Sequence, residues 1–245
     1  MKKNILITFI IILIWFLTVY WFKNNKNLNN INIEKNNWIE KIEIDLSKNN
    51  LSFWWIDYYE KKSDNFSVFN RHYAYEYLQK IKKVLPTAKL VINWAFFNAW
   101  QEKTHLSFPL KSNWKIINDY MDNDISKKTF ILTKENKAII YDWYDKKYLQ
   151  NDDFKELIVG FSIEADANSK ASIWRTFIWI KENKVYFFIS WAKTQQEMID
   201  YVEEFWIEKN NILMVDGWPS SQYSSINEDK TFYWKWWVPQ FFIVW

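Results

Sequence analysis

Residues 212–221 read ILMVDGWPSS, an apolar run that ends on Asp216 and Gly217 and is followed closely by Ser220 and Ser221. A carboxylate delivered by the end of a buried strand is well placed to move a proton, and hydroxyls just beyond it can hold an anion. The plain alternative is a turn, since aspartate favours turns through local hydrogen bonds and serines cap the segments that follow. Arg175 carries a second hint. Of the 32 basic side chains only Arg71 and Arg175 are arginine. A retained guanidinium points to a need for its planar fork, which fits phosphate and carboxylate. A structural ion pair would retain it too, and Arg71 stands beside a predicted helix start. In FSIEAD, Glu164 and Asp166 fall on one side of a predicted strand. Their mutual repulsion would split their proton affinities into an acid and a base, although a solvated strand face reads the same way. The two histidines, His72 and His105, have no ligand spacing around them, and the chain has no cysteine. No metal site and no cofactor is therefore expected. G-x-S-x-G, phosphate-loop and dinucleotide fingerprints are all missing.

These residues need elements to carry them. Lys41–Leu46 alternates apolar and charged residues as a half-exposed strand does. Ala74, Leu78, Ile81 and Leu85 line one face of a predicted helix over 71–85, which Pro86 stops. Lys89–Asn93 reads as a strand. Thr129–Thr133 with Lys137–Tyr141, and Phe177–Ile180 with Val185–Ser190, read as two hairpins. Thr194-Gln-Gln-Glu197 is a capping-box signature opening a helix that should end near Phe205, with a left-handed residue next, at Trp206. Ile212–Val215 and Phe241–Val244 complete the strands. The order predicts an α+β fold: a single domain with a mixed β-sheet core and flanking helices over 38–245.

Composition is abnormal in one paired respect. The 245 residues include 18 Trp and 2 Gly, whereas glycine is usually roughly 7% of a chain and is needed at turns, caps and bulges. Trp and Gly added together make an ordinary glycine content. The scarcity of arginine and the abundance of Lys, Asn and Ile suggest AT-rich coding. We therefore expect that UGA codons, read as glycine in some bacterial genetic codes, stand here as tryptophan. The competing reading is a Trp-rich protein that stacks sugars on exposed indoles. The net charge of +3 argues against a dedicated nucleic-acid binder.

Met1-Lys2-Lys3 precedes Asn4–Phe22, which carries no charged residue and is long enough to span a bilayer. No small-x-small cleavage site follows, so residues 1–22 read as an uncleaved signal anchor and the Asn-rich stretch 23–37 as a flexible tether. The expected location is the cell membrane, single-pass, with the C-terminal domain outside the cytoplasm.

With glycine restored, VINWAFFNA becomes VINGAFFNA, SIWRTFIWI becomes SIGRTFIGI, MVDGWPSSQYS becomes MVDGGPSSQYS, and the end reads GGVPQFFIVG. In that order the four blocks resemble the phosphodiester glycosidase family over roughly residues 90–245. By that resemblance Asn93, Phe96 and Phe97 match the first block, Arg175 and Thr176 the second, and Asp216, Gly217, Ser220 and Ser221 the third. Trp94, Trp174 and Trp218 depart from the pattern, and real indoles there would block the pocket. The resemblance implies a hydrolase of sugar-1-phosphate diesters in envelope glycans. Arg175 would sit on the phosphate, Asp216 would do acid–base or nucleophilic work, and Glu164 would be a second carboxylate. Asn93, Phe97, Thr176, Gly217, Ser220 and Ser221 would bind substrate. A non-catalytic glycan-binding domain and an exported phosphodiesterase or nuclease are the alternatives.

Overall fold

The computed structural model describes residues 31–36, 38–53, 60–63, 66–94, 96–98, 104–122, 127–165, 169–217, 220–226, 231–232 and 237–245. The apolar stretch Asn4–Phe22, Asp166, Trp218 and most of the 233–239 loop lie outside these residues. Among the described residues no helix is long and apolar enough to cross a membrane.

The chain opens with a hairpin in which β1 (Ile31–Asn36) lies antiparallel to β2 (Ile39–Asp45), Ile31 opposite Ile44. The second half of the stretch read as a tether is therefore strand. Its Ile31 and Ile33 alternate with polar residues, a period that the surrounding asparagines hide. Next come β3 (Leu51–Ser52), β4 (Glu60–Ser63), β5 (Phe66–Phe69) and helix α1 (Ala74–Val84). β6 (Leu90–Asn93), β7 (Thr104–His105), β8 (Leu110–Ser112) and β9 (Lys115–Asn118) follow. β10 (Lys127–Thr133) and β11 (Ala138–Tyr141) form the first predicted hairpin, and the short α2 (Lys147–Gln150) leads to β12 (Phe154–Phe161). β13 (Ile173–Lys181) and β14 (Lys184–Lys193) form the second. Helix α3 (Gln195–Glu203), β15 (Ile212–Val215), β16 (Tyr223–Ser225), β17 (Thr231–Phe232) and β18 (Phe241–Val244) complete the order.

A ten-stranded sheet runs β1-β2-β14-β13-β15-β12-β10-β11, with β8 attached to β12 and β9 to β8. A five-stranded sheet runs β17-β16-β6-β18-β3. The expectation of an α+β fold with a mixed sheet is wrong: the protein is mostly β, and every described ladder is antiparallel. The connections explain this. Glu182 and Asn183 alone separate β13 from β14, whereas parallel strands need a crossover of roughly a dozen residues or more.

The two sheets face one another across the main core. Ile42, Phe130, Ile158, Ile178, Phe187 and Leu213 of the large sheet meet Ile92, Tyr223 and Phe242 of the small one. Helix α3 covers the outer face of the large sheet, where Met198 and Val202 pack on Phe177, Phe188 and Met214. Its capping box is formed as predicted, with Thr194 and Glu197 satisfying each other's backbone N–H groups. Trp206 follows with φ 56° and is 94% exposed. Helix α1 covers the outer face of the small sheet through Ala74, Tyr77, Leu78 and Ile81. One carboxylate is sunk in the core: Glu156 Oε1 accepts from Ser52 Oγ at 2.6 Å, and burial raises its pKa.

Candidate functional site

Asp216 stands where the chain leaves the large sheet for the small one. β15 ends at Val215, and the Asp216 N–H donates to Trp94 O at 3.1 Å, just past the end of β6. The turn can pass only because Gly217 has no side chain. A Cβ there would lie 2.4 Å from Trp174 O and 3.1 Å from Arg175 Cα. Those backbone atoms belong to an irregularity in the β13–β14 ladder, between the pairs Ile173–Lys193 and Arg175–Ser190. Bulged ladders of this kind re-aim side chains at strand ends.

Around the carboxyl the polar groups are tied down. Asn93 Nδ2 donates to Ser220 O, and Ser220 Oγ donates to Gly217 O at 2.9 Å. Thr176 Oγ1 and Ser221 Oγ share a buried hydrogen bond of 2.9 Å. Asn93, Thr176, Ser220 and Ser221 are all buried. Asp216 as a residue keeps partial exposure, but its Oδ2 is sealed from solvent and has no hydrogen-bond partner. The state of that atom sets its proton affinity. Burial pushes the carboxyl from 3.8 up to about 7, against the smaller downward pull of the Ser220 hydroxyl, the Gly217 N–H and the Asn93 amide. A carboxyl balanced near neutrality can take or give a proton at physiological pH.

Arg175 is 2% exposed and projects from β13. Its Nε donates to Lys193 O at 3.1 Å and its Nη2 to Ala171 O at 3.1 Å, while Nη1 lies 3.9 Å from Met214 Sδ. Part of the guanidinium thus braces the irregular ladder. None of the groups that shift the Asp216 carboxyl is this guanidinium. Phe97 forms an isolated bridge with Leu106 and lies half-buried against the α1 cluster.

Glu164 is not where the sequence put it. β12 stops at Phe161, and residues 162–165 form a turn in which Ala165 N–H donates to Ser162 O at 3.0 Å. Glu164 is exposed there, lining a cavity of about 630 Å³ with Lys170, Thr194, Gln195 and Lys209. The strand face that was to align it with Asp166 does not exist at Glu164. His72 lies beside Lys80, whereas His105 sits edge-on to Tyr120. Among the described residues no cluster of metal-ligating side chains occurs.

A second polar feature at this end of the large sheet leaves no mark in the sequence. Lys127 opens β10, and its Nζ lies 3.9 Å from the ring centroid of Phe108 and 4.0 Å from that of Phe161. One lysine among many carries no signal by itself; only the ladder register brings it to β12, the neighbour of β15.

No protein-family model and no curated protein matches the chain. Among solved structures it is similar to the catalytic domain of zebrafish N-acetylglucosamine-1-phosphodiester alpha-N-acetylglucosaminidase, auto-inhibited by its pro-peptide. That match has a TM-score of 0.55 at 12% identity and covers 87% of this chain and 80% of the other. A hypothetical protein from Synechocystis matches with a TM-score of 0.51 at 9% identity, covering 87% of this chain and 61% of that one. At such identities the likeness is one of fold: this chain shares, distantly, the fold of a phosphodiester glycosidase domain.

Proposed function

We propose that the protein is a membrane-anchored, extracytoplasmic hydrolase that cleaves a glycosyl phosphodiester in envelope glycans. The observation that carries the reading is Asp216: a sealed carboxyl with a pKa raised to about 7 beside a glycine turn, on a fold distantly shared with a phosphodiester glycosidase domain. A phosphate leaves well without being protonated, so the step in need of help is deprotonation of the attacking water. Water oxygen bonds to the anomeric carbon and its proton passes to Asp216. The carbon–oxygen bond breaks with its electrons going to the phosphate, which departs as a monoester. Asn93, Ser220 and the Thr176–Ser221 pair hold the turn that presents the carboxyl. Arg175 braces the backbone that runs against Gly217. Phe97 would contribute an apolar wall, and Glu164 is the candidate second carboxylate.

The same proposal includes glycine in place of tryptophan in the native chain. Three observations support that reading. Trp38, Trp114 and Trp206 have φ of 67°, 64° and 56°, where side chains other than glycine are strained. All three are exposed, Trp206 almost fully. Trp94 is buried with an indole N–H that has no partner, a burden of roughly 1–3 kcal/mol. Mass spectrometry of the protein purified from its own host tests it, since each Trp-to-Gly position lowers the mass by a fixed step.

For the activity, the purified domain (glycine version) should release free sugar from a sugar-1-phosphate diester, and Asp216→Asn should not. Equal release by both would refute the assignment of Asp216; binding without turnover in either would favour a glycan-binding domain.

A further inference from the structure

We infer that the cavity around Glu164 is a binding subsite for neutral sugar units of the glycan, separate from the turn at Asp216. The inference rests on the glycan reading above and gives Glu164, its candidate second carboxylate, sugar hydroxyls to hold.

The fold fixes the turn that carries Glu164. β12 ends at Phe161, opposite Met214 of β15, so residues 162–165 lie at the end of the large sheet from which Asp216 departs. Gln195, at the start of α3, is 4% exposed, and its Nε2 donates to Ile163 O and, at 2.9 Å, to Ala165 O. Those two carbonyls flank Glu164. Ser162 Oγ accepts the Glu164 N–H at 3.3 Å, and the Gln195 N–H donates to Ser169 O at 3.1 Å, which ties down the segment that brings Lys170. The Glu164 carboxylate itself is exposed and has no hydrogen-bond or ion-pair partner among the described residues. A carboxylate fixed at its root and uncommitted at its head is arranged for a ligand.

The charges of the cavity select the ligand. Lys170 is also exposed and uncommitted, whereas Lys209 is paired with Glu203 at 3.2 Å. One uncommitted carboxylate and one uncommitted ammonium leave the lining without net charge. The first turn of α3 faces the cavity too, but its positive end is already answered by Glu197, whose carboxylate accepts from the Thr194 N–H at 2.8 Å. A phosphate finds no excess of positive charge there and, among the described residues, a metal ion finds no acidic cluster. Hydroxyl groups suit both uncommitted groups, since they donate to Glu164 and accept from Lys170. Ile163, Ala165 and Ile199 supply apolar surface for the carbon–hydrogen faces of a sugar ring. The space of about 630 Å³ falls within the roughly 300–1,000 Å³ of small-molecule sites. A second cavity of about 250 Å³ shares Ile163, Glu164 and Lys209 with it, and there Lys128 is spent on Asp142 and on the carbonyls of Lys209 and Asn210. Two adjoining compartments with Glu164 between them fit consecutive units of a glycan chain.

Calorimetric titration of the purified full chain with neutral tetrasaccharides of glucose, galactose and N-acetylglucosamine tests this without any turnover. At least one should bind. Glu164→Ala should weaken that binding about tenfold, the loss of one charge-assisted contact, and Lys170→Ala should weaken it as well. Both side chains are exposed, so the variants should melt with the wild type. Binding of none of the three, or an affinity within about twofold of wild type in both variants, overturns the proposal. Displacement of the bound saccharide by excess inorganic phosphate overturns it too, because the cavity would then select an anion. Saccharide binding that depends on Glu164, in a chain that never cleaves a diester, refutes the hydrolase reading alone. Release of free sugar from a sugar-1-phosphate diester by a chain that binds none of the tetrasaccharides refutes the subsite alone.

Discussion

Replacing Asp216 by asparagine should make the protein more stable, and only above about pH 4. Burial raises the carboxyl from 3.8 to about 7, so ionising it costs about 4 kcal/mol more in the fold than in the unfolded chain. Below pH 4 the carboxyl is protonated in both states and there is no penalty. Between pH 4 and 7 the unfolded chain ionises while the folded one does not, so wild-type stability falls as pH rises. Above pH 7 the loss is complete. Asparagine has no such titration and keeps an oxygen able to accept from the Gly217 N–H and the Asn93 amide. The two proteins should therefore be nearly equal in stability at pH 4 and differ by about 4 kcal/mol at pH 8. For a chain of this size that is roughly 8–16 °C in melting temperature. Glu156, also raised by burial, is present in both and cancels. Urea denaturation of each at half-unit pH steps reads the difference directly. A gap between the two that stays constant from pH 4 to pH 9 would refute the claim that this carboxyl is sealed.

The activity itself should rise with pH through an apparent pKa near 7, because the base must be ionised; a rate that falls through that range, measured as kcat/KM, excludes Asp216 as base. Gly217→Ala pushes a methyl to within 2.4 Å of Trp174 O and should cost on the order of 2–3 kcal/mol of stability in chemical denaturation. Trp206→Gly relieves a left-handed residue that buries almost nothing, so the melting temperature should rise by roughly 2–4 °C, the equivalent of about 1 kcal/mol. Glu156→Gln keeps the shape and removes a carboxyl whose pKa burial raises. It should add stability at pH 8 and none at pH 3, and the reverse order of gains would mean that Glu156 is held as a carboxylate.

Much of this fold was legible because local rules govern its parts. Thr194 and Glu197 announce their helix three residues apart, and the caps form as expected. The apolar runs of β6, β15 and β18 are buried on both faces and show no alternation, yet their length and punctuation mark them as strands. What could not be read is how strands pair. Nothing in Ile212–Val215 says that β12 and β13 flank it, and a general picture of sheets with helices on both faces led to a mixed sheet. The same blindness misplaced Glu164, since a strand and a turn differ there by where β12 happens to stop.

The structure brings Asn93, Thr176, Asp216, Ser220 and Ser221, all singled out in the sequence, to one turn, but how the chain builds that turn was not legible. Asp216 is set apart by the handover from one sheet to the other, for which a strand must run directly against a neighbour's irregular backbone. That approach leaves no room for a Cβ at 217, and the glycine is what marks the crossing in the sequence. The crossing also explains the carboxyl's raised proton affinity: an aspartate at the edge of one sheet would be hydrated, but here the end of β6, through Asn93 and Trp94, and the turn through Ser220 close over it. A carboxyl that titrates near neutral pH and the permissive turn beside it are thus one consequence of joining two antiparallel sheets at that point, and removing the closure should lower the pKa of Asp216 even with every polar neighbour kept.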